Sequence, residues 1–476
     1  MSLPRLATDD QLQRIYDGAL DTLESVGLLV QDDELKHLML AAGCADGPDG
    51  QVQIPRALVE EMLAPRRAKP DVATEPARVD YEPRPGIGGQ LAQFYLDPDT
   101  ETRLPGSRDL LAELVRFGHA WSGGGAGPVL LCRDVPPLVE PMEAVITIGE
   151  NTTTVTSAYP HTADQVAYLA EMGEILNGAA NSLIGICIFL VTPLRMDLRA
   201  SQLLVDLMGR GAHVWIGTQP ASGASSPVTV AGTVVLGVAE ILAGWTAAYI
   251  LDPEAMPSGG ICSGTLDMKT ADVSYCAPES MLQDLLCVEL FRELCGGRCS
   301  VAGGSDYTDA KRPGSQKAFE AAFEAITIWM HAGSPPGMGS GLVESGKTFS
   351  PVQFMLDHDF GRHVGRFAQG VTFTDDDLAL DSIREVGLGI GRNHMATDHT
   401  LSGFRSLFDP LLLDRSARAD DATEADAEGR LLARAWDEFK AVRARYEPAC
   451  VGDDKLAALE AVAARAWDDL CDAPRP

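Results

Sequence analysis

Three short stretches of this chain concentrate side chains that could act on a small molecule. Gly303-Gly-Ser-Asp-Tyr-Thr-Asp-Ala-Lys311 sets Asp306, Tyr307, Asp309 and Lys311 in a loop opened by two glycines. Gly337-Met-Gly-Ser-Gly-Leu-Val-Glu-Ser-Gly346 carries Glu344 and is followed by Lys347, Phe354 and Asp357-His358-Asp359. The segment Gly223–Thr233 reads as a loop and a helix start, with Ser226 as N-cap, Pro227 at the first helical position and Glu240 further along the helix. Carboxylates and a phenol can hold a cation or move a proton. Glycines such as Gly303, Gly339 and Gly341 let a bulky ligand or partner approach the backbone. Plainer readings stand beside these: Glu240 as a surface position of a well-capped helix, and His358 as a partly exposed helix residue. Lys311 as an amine nucleophile is disfavoured by two nearby aspartates, which keep it protonated.

These stretches need elements to position them, and the chain supplies a regular beat. Helix-like segments occur near 107–120, 162–177, 197–209, 227–250, 276–296, 314–332 and 351–367. Short apolar runs lie between them: Pro128–Cys132, Thr153–Ser157, Ile184–Val191, His213–Gly217, Gly259–Ser263, Cys299–Gly303 and the glycine-rich run at Gly337–Val343, with an eighth at Gly370–Phe373. Short apolar strands alternating with helices of ten or more residues predict a parallel sheet covered by helices. Seven or eight units over about 270 residues favour a closed (β/α)8 barrel, an α/β fold whose active site sits where the strands end. The expected organisation is an N-terminal helical segment and lead-in at 1–105, the barrel at 106–410, and a helical tail at 411–476 joined through an acidic linker at Asp420–Glu428.

Several classes are set aside by what is missing. No Gly-x-Gly-x-x-Gly turn follows a strand, and there is no Gly-x-Ser-x-Gly elbow, Walker loop or His-Glu-x-x-His helix. His394 and His399, five residues apart, and Cys295 and Cys299, four apart, make poor ligand sets, so no metal is expected. A formal charge of −30 repels nucleic acid and anionic membranes. The ten cysteines show no extracellular framework and the start shows no signal peptide, which points to a cytoplasmic protein. The apolar run Val228–Leu251 contains Glu240 and reads as a buried helix rather than a membrane span.

Taken in order, these segments carry a resemblance. Leu23-Glu-Ser-Val-Gly27, Ser225-Ser-Pro-Val-Thr-Val-Ala-Gly-Thr233 with Ala239-Glu240, Ser305–Lys311 with Gln316, Gly341–Gly346, and His399-Thr400 leading to Arg405 and Pro410 resemble the trimethylamine methyltransferase family. Members take a methyl group from a methylated amine and pass it to the cobalt of a separate corrinoid protein. Founding members carry pyrrolysine near the seventh strand; here Gly337 to Glu344 is an ordinary run, so the chain is similar to the branch without that residue. A neutral tertiary amine would lose its methyl group with an anionic leaving group unless its nitrogen is first made cationic. A quaternary ammonium already carries the charge and leaves as a neutral amine, as in the family's glycine betaine demethylating members.

The resemblance therefore implies methyl transfer from a small quaternary amine, glycine betaine or a related betaine, to Co(I) of a corrinoid partner. No tightly bound cofactor is implied, since the Asp-x-His-x-x-Gly signature of corrinoid-binding domains is missing. Glu240, Glu344 and Tyr307 are the candidate catalytic residues. Phe94, Tyr95 and Phe354, with Phe349 and Tyr307, are candidate faces for the ammonium. His358, Lys347 and Asp309 complete the candidate substrate-binding set, with the two basic residues anchoring a carboxylate tail, and Gly303, Gly339 and Gly341 would face the corrinoid. The broad apolar helices suggest a homo-oligomer. Alternatives are a sulfonium donor such as dimethylsulfoniopropionate, a tertiary methylamine, a non-catalytic betaine-binding barrel, and a lyase using Lys311 or Lys347.

Overall fold

The computed structural model describes residues 2–77, 86–185, 187–335, 339–415, 427–471 and 475. Most of the expected Asp420–Glu428 linker and the first two residues of the Gly337 run lie outside them. At the centre are four consecutive strands, β1 (Cys187–Leu190), β2 (Trp215–Thr218), β3 (Ser258–Ile261) and β4 (Cys299–Val301), hydrogen-bonded side by side and all parallel. Parallel bridges extend the series backwards in chain order: Ala158 to Ile184, Val155 to Ala126, and Ala126 and Leu130 to Ile87 and Ala92. Parallel neighbours need a crossover, and each connection here carries a helix, from Arg108–Ser122 through Pro278–Leu290.

The α/β reading and all seven expected helices therefore stand, while two of the expected strands do not. Gly370–Phe373 is exposed and irregular. Leu342–Val343 turns back on Thr348–Phe349 as an antiparallel hairpin, and that hairpin pairs in parallel with Phe94–Leu96 outside the series. The first member of the series is Ile87–Ala92, within the expected lead-in at 1–105, where no strand is expected from sequence. Among the described residues no strand pairing joins β4 back to Ile87–Ala92, so the hydrogen-bonded strands form an open series rather than a closed ring.

Val230–Leu251 is the pillar of one core. It is capped by Thr229, whose Oγ1 accepts from Gly232 N, and not by Ser226, whose hydroxyl bonds that of Thr233 instead. Long and apolar enough to cross a membrane, it is mostly buried, with Ala239, Ile241, Leu242 and Trp245 fully so. The N-terminal helix Asp9–Ser25 lies against it. Thr8 and Gln11 form a capping box there, and Leu12, Ile15, Ala19 and Leu23 recur on the buried face.

A second core joins the tail to the first helices. Ala427–Arg443 packs on Arg108–Ser122 and Pro351–Ala368, where Phe439 stacks on Phe117 at 3.9 Å. Asp453–Leu470 packs on Val166–Asn177 and on Glu140–Gly149, a helix whose ten residues are all buried and which the sequence reading does not include. Its acids explain the omission. Glu143 is held by Trp467 Nε1 at 2.7 Å and Arg475 at 2.8 Å, and Glu140 by Cys132 N at 2.9 Å.

Gly27 shows how tightly the N-terminal helix is seated. Its φ is +85°, and a Cβ there would lie 2.4 Å from the carbonyl oxygen of Val52. Gly27→Ala should therefore cost about 2–4 kcal/mol of stability, from backbone strain plus the clash. Chemical denaturation measures this; a loss under 0.5 kcal/mol would contradict the packing described.

Candidate active site

Strand alternation builds the inner face of the sheet. Ile188 and Leu190 of β1 point into the helix-covered core, whereas Cys187, Phe189 and Val191 point the other way and are exposed. The register places Phe189, Gly217, Gly260 and Ser300 in one row across β1–β4. Trp215 lies flat along that row. A Cβ on Gly217 or on Gly260 would come within 2.3 Å of its indole ring, so only glycine fits at both positions. Its Nε1 reaches Ser300 Oγ at 3.4 Å, and its ring centre is 5.2 Å from that of Phe189. The result is an aromatic floor.

Three tyrosines lie above it. Tyr159 covers Gly185 and bonds Gly89 O at 3.2 Å. Tyr307 is packed against Gly303 and Gly346, where a Cβ would fall 2.5 and 2.3 Å from its ring, and Tyr275 lies 5.9 Å from it. Burial raises the pKa of all three phenols. Tyr159 packs on Gly185, two residues before β1, and Tyr307 on Gly303, two residues after β4, so both border the sheet that carries the floor. These phenols stay neutral and offer ring faces and hydroxyls.

Behind Tyr307 is a charge cluster. Asp306 accepts from Ser340 N at 2.6 Å, from Ser340 Oγ at 3.0 Å and from Gln90 Nε2 at 3.4 Å. Asp357 accepts from Gly341 N at 2.9 Å and Gln353 Nε2 at 2.7 Å. Asp284 accepts from Ser263 N at 2.7 Å, and Glu324 Oε2 has no hydrogen-bond partner. All four carboxyls are buried, and the cation among them is Lys317, fully buried, whose Nζ donates to Ser305 O at 2.7 Å. Burial raises every one of their pKa values, Asp357 to about 7, against the opposing pull of Lys317 on Asp306, Glu324 and Asp357. Nearby, Cys276, Asp309 and Glu320 bring a thiol and two carboxylates within 4.8 Å of one another.

Of the residues expected from sequence, Tyr307 and Gly303 belong to this centre, with Gly339, Gly341 and Asp309 at its back. The glycines approach the chain's own atoms rather than open space: Gly339 faces Asp357, Gly341 faces Phe354 and Ser350, and Gly303 faces Tyr307. Glu240 is fully buried, neither at the surface nor in the recess. It accepts from Leu194 N at 2.7 Å, Thr192 Oγ1 at 2.9 Å and Thr218 Oγ1, tying the exits of β1 and β2 together as a positioning residue. Glu344 is salt-bridged to Arg103 at 2.6 Å on the outer hairpin, with Thr348 at 2.7 Å. Burial opposes these bonds, yet its pKa falls below the ordinary value.

The remaining candidates lie elsewhere. Phe94 already holds the guanidinium of Arg103 over its ring at 4.0 Å and that of Arg133 at 4.9 Å. Tyr95 and Phe354 pack in the second core with Phe349. Lys347 and Lys311 are exposed. His358 is buried under Trp121, eight residues and so about 12 Å along the helix from Ser350, where that helix meets Gly341. Phe189, Trp215, Tyr159, Tyr275, Lys317 and Glu324 were missed. Lys317 and Glu324 did leave a signal: they continue the buried face of Ala321, Ala325 and Ile328, a place charges seldom occupy without a partner.

Comparison with known proteins gives the class: relatives over nearly the full length are methyltransferases, and so is this chain. A trimethylamine methyltransferase of Desulfitobacterium hafniense is 25% identical over 97% of this chain and 94% of its own, and that of Methanosarcina acetivorans is 26% identical over 97% and 95%. A glycine betaine methyltransferase of Desulfitobacterium hafniense is 25% identical over 97% and 96%. Among solved structures, the monomethylamine methyltransferase of Methanosarcina barkeri aligns over 91% of this chain and 94% of its own at 13% identity, with a TM-score of 0.44. The family model for trimethylamine methyltransferase (MTTB) matches residues 3–470, and the chain belongs to that family.

The buried carboxyls set a pH dependence. Their folded-state pKa values lie above the unfolded ones, so the folded state holds more protons and stability is lost as pH rises from about 4 through about 7, the value for Asp357. The melting temperature should fall by a few degrees between pH 5.5 and pH 8, and Asp357→Asn should flatten that slope. A melting temperature that rises across this window would contradict the charge cluster.

Proposed function

We propose that this methyltransferase demethylates a small quaternary amine, glycine betaine or a related betaine, and that the methyl group passes to Co(I) of a separate corrinoid protein docked over the recess. The observation that carries the reading is the aromatic recess itself. Phe189, Trp215, Tyr159, Tyr275 and Tyr307 present ring faces, Asp306 and Glu324 lie behind them, and Lys317 is turned away toward Ser305. Such a surface favours a fixed cation that offers no hydrogen bond. The corrinoid supplies the nucleophile. The chain's part is to hold the ammonium with a methyl group facing outward, to exclude water from it, and to bind the departing amine as a neutral molecule.

Two structural points support the docking geometry. Gln90, Asp306 and Ser340 are hydrogen-bonded at one point, which supports closure of the parallel series into a barrel with the recess at its mouth. Glu240 keeps the β1 and β2 exits in place around that mouth. Self-association is supported by an exposed apolar run that includes Phe367, Phe373, Leu388, Ile390 and Met395; light scattering at a single-chain mass would count against it.

The deciding assay incubates the purified protein with Co(I) corrinoid protein or free Co(I) cobalamin and follows the absorbance of methylcobalamin. The donors are glycine betaine, choline, dimethylsulfoniopropionate and trimethylamine. Turnover with a betaine and none with trimethylamine is expected; turnover with trimethylamine alone would overturn the reading. Tyr307→Phe should leave KM near the parent value, because the ring face remains. Tyr307→Leu should raise KM about tenfold, the size of a partly desolvated cation–π contact.

A further inference from the structure

A second cavity lies at the opposite end of the molecule from the recess. Its wall includes Ser122 and Gly123, at the C-terminal end of the Arg108–Ser122 helix and just before Ala126 opens the next parallel segment, so it sits where strands begin rather than where they end. It has a volume of about 870 Å³, enough for a nucleotide-sized molecule. Four arginines face it from three elements: Arg362 and Arg366 on the Pro351–Ala368 helix, Arg405 beyond it, and Arg445 after the Ala427–Arg443 helix.

This concentration of positive charge is out of keeping with the rest of the chain, in which Asp and Glu outnumber Lys and Arg 68 to 38. Arg362 is partly matched, with Asp359 Oδ1 at 3.4 Å and Asp409 O at 3.0 Å, and Arg445 has Glu438 at 3.5 Å. Arg366 bonds only the neutral Gln369, and Arg405 lies over the Phe404 ring; among the described residues neither has a carboxylate partner. Four guanidinium groups against the single carboxylate of Asp409 among the lining residues leave the cavity net positive and attractive to an anion. The floor of the cavity also contains an unmet polar group. His358 is only 8% exposed, and its Nδ1 has no hydrogen-bond partner. Burial and the Arg362 charge hold its pKa down near 4, so the ring adds no charge to the wall. Trp121, whose ring meets that of His358 at 4.6 Å, supplies an aromatic wall.

We propose that this cavity binds a phosphate-bearing anion of nucleotide type, with the guanidinium groups on the phosphates and Trp121 against the base. Guanidinium forks match phosphate oxygens in pairs, and several phosphates are needed to engage arginines spread over a space of this size. The site is remote from the recess, so the ligand regulates or stabilises rather than reacts.

The test is calorimetry on the full chain at low salt with three probes: ATP, inorganic triphosphate and succinate. ATP is expected to bind at one site per chain with a dissociation constant in the micromolar range, more tightly than triphosphate and far more tightly than succinate, and to weaken as salt rises. The double variant Arg366→Gln/Arg405→Gln should weaken ATP at least tenfold with an unchanged melting temperature, because both side chains are exposed. Trp121→Leu should remove the advantage of ATP over triphosphate. No heat from ATP up to about 1 mM, full binding by the double variant, or succinate binding as tightly as ATP would each overturn the proposal. The readout is binding alone, so its failure is separate from any failure of methyl transfer.

Discussion

A carboxylate removed from water must find donors or keep its proton, and Asp306 meets this demand in a way that organises the molecule. Its donors come from Gln90, beside the first segment of the parallel series, and from Ser340, on the run leading into the outer hairpin, while Asp306 itself follows the last strand. Satisfying one acid therefore draws together three segments, one of them more than two hundred residues from the other two. Tyr307, the next residue, is fixed by the same turn and pressed into the gaps left by Gly303 and Gly346. Without those glycines the ring could not occupy its place, and without the Asp306 bonds the turn would have no anchor.

The rest of the recess follows from a second constraint, the space required by Trp215. Its ring needs two neighbouring strands to be bare at the same level, and Gly217 and Gly260 meet that need in register. The glycines weaken the strands that contain them, since glycine loses more freedom on ordering than any other residue. The inner face thereby gains a flat aromatic surface that apolar branched residues could not supply. Together with the buried acids behind Tyr307, which hold their protons above the ordinary carboxyl range, the floor and rim offer a ligand ring faces.

Much of the scaffold was legible in the sequence because helices of ten or more residues alternate with short apolar runs, and that period survives any detail of packing. The missed helix, Glu140–Gly149, breaks the usual pattern by burying two glutamates: Glu143, whose partners Trp467 and Arg475 lie more than three hundred residues away, and Glu140, which is met by Cys132 N and His161. The first parallel segment was hidden in the same way, since only a bridge or two marks it. The site was less legible. Tyr307 stood out by its neighbours, but Phe94 and Phe354 were indistinguishable by type from Phe189 and Trp215. Which aromatic ring meets cations of its own chain, which fills a core and which faces open space is decided by the tertiary register. Glycines mislead for the same reason: Gly339 and Gly341 do mark close approach, but to Asp357 and Phe354.

The protonation of the charge cluster bears on the choice of donor. Asp306, Glu324 and Asp284 hold their protons to higher pH than ordinary carboxyls, and Asp357 gives up its proton near pH 7. A tertiary ammonium placed beside such groups can lose its proton to a carboxylate, and the neutral amine that remains would have to expel its methyl group with an anionic leaving group. A quaternary nitrogen has no proton to lose. Its charge is fixed whatever the protonation state of Asp306 or Asp357, and each carboxylate that ionises strengthens the hold on it. On the proposed reading, the hold on a permanent cation survives any change in the protonation of these acids, which the hold on a titratable amine does not.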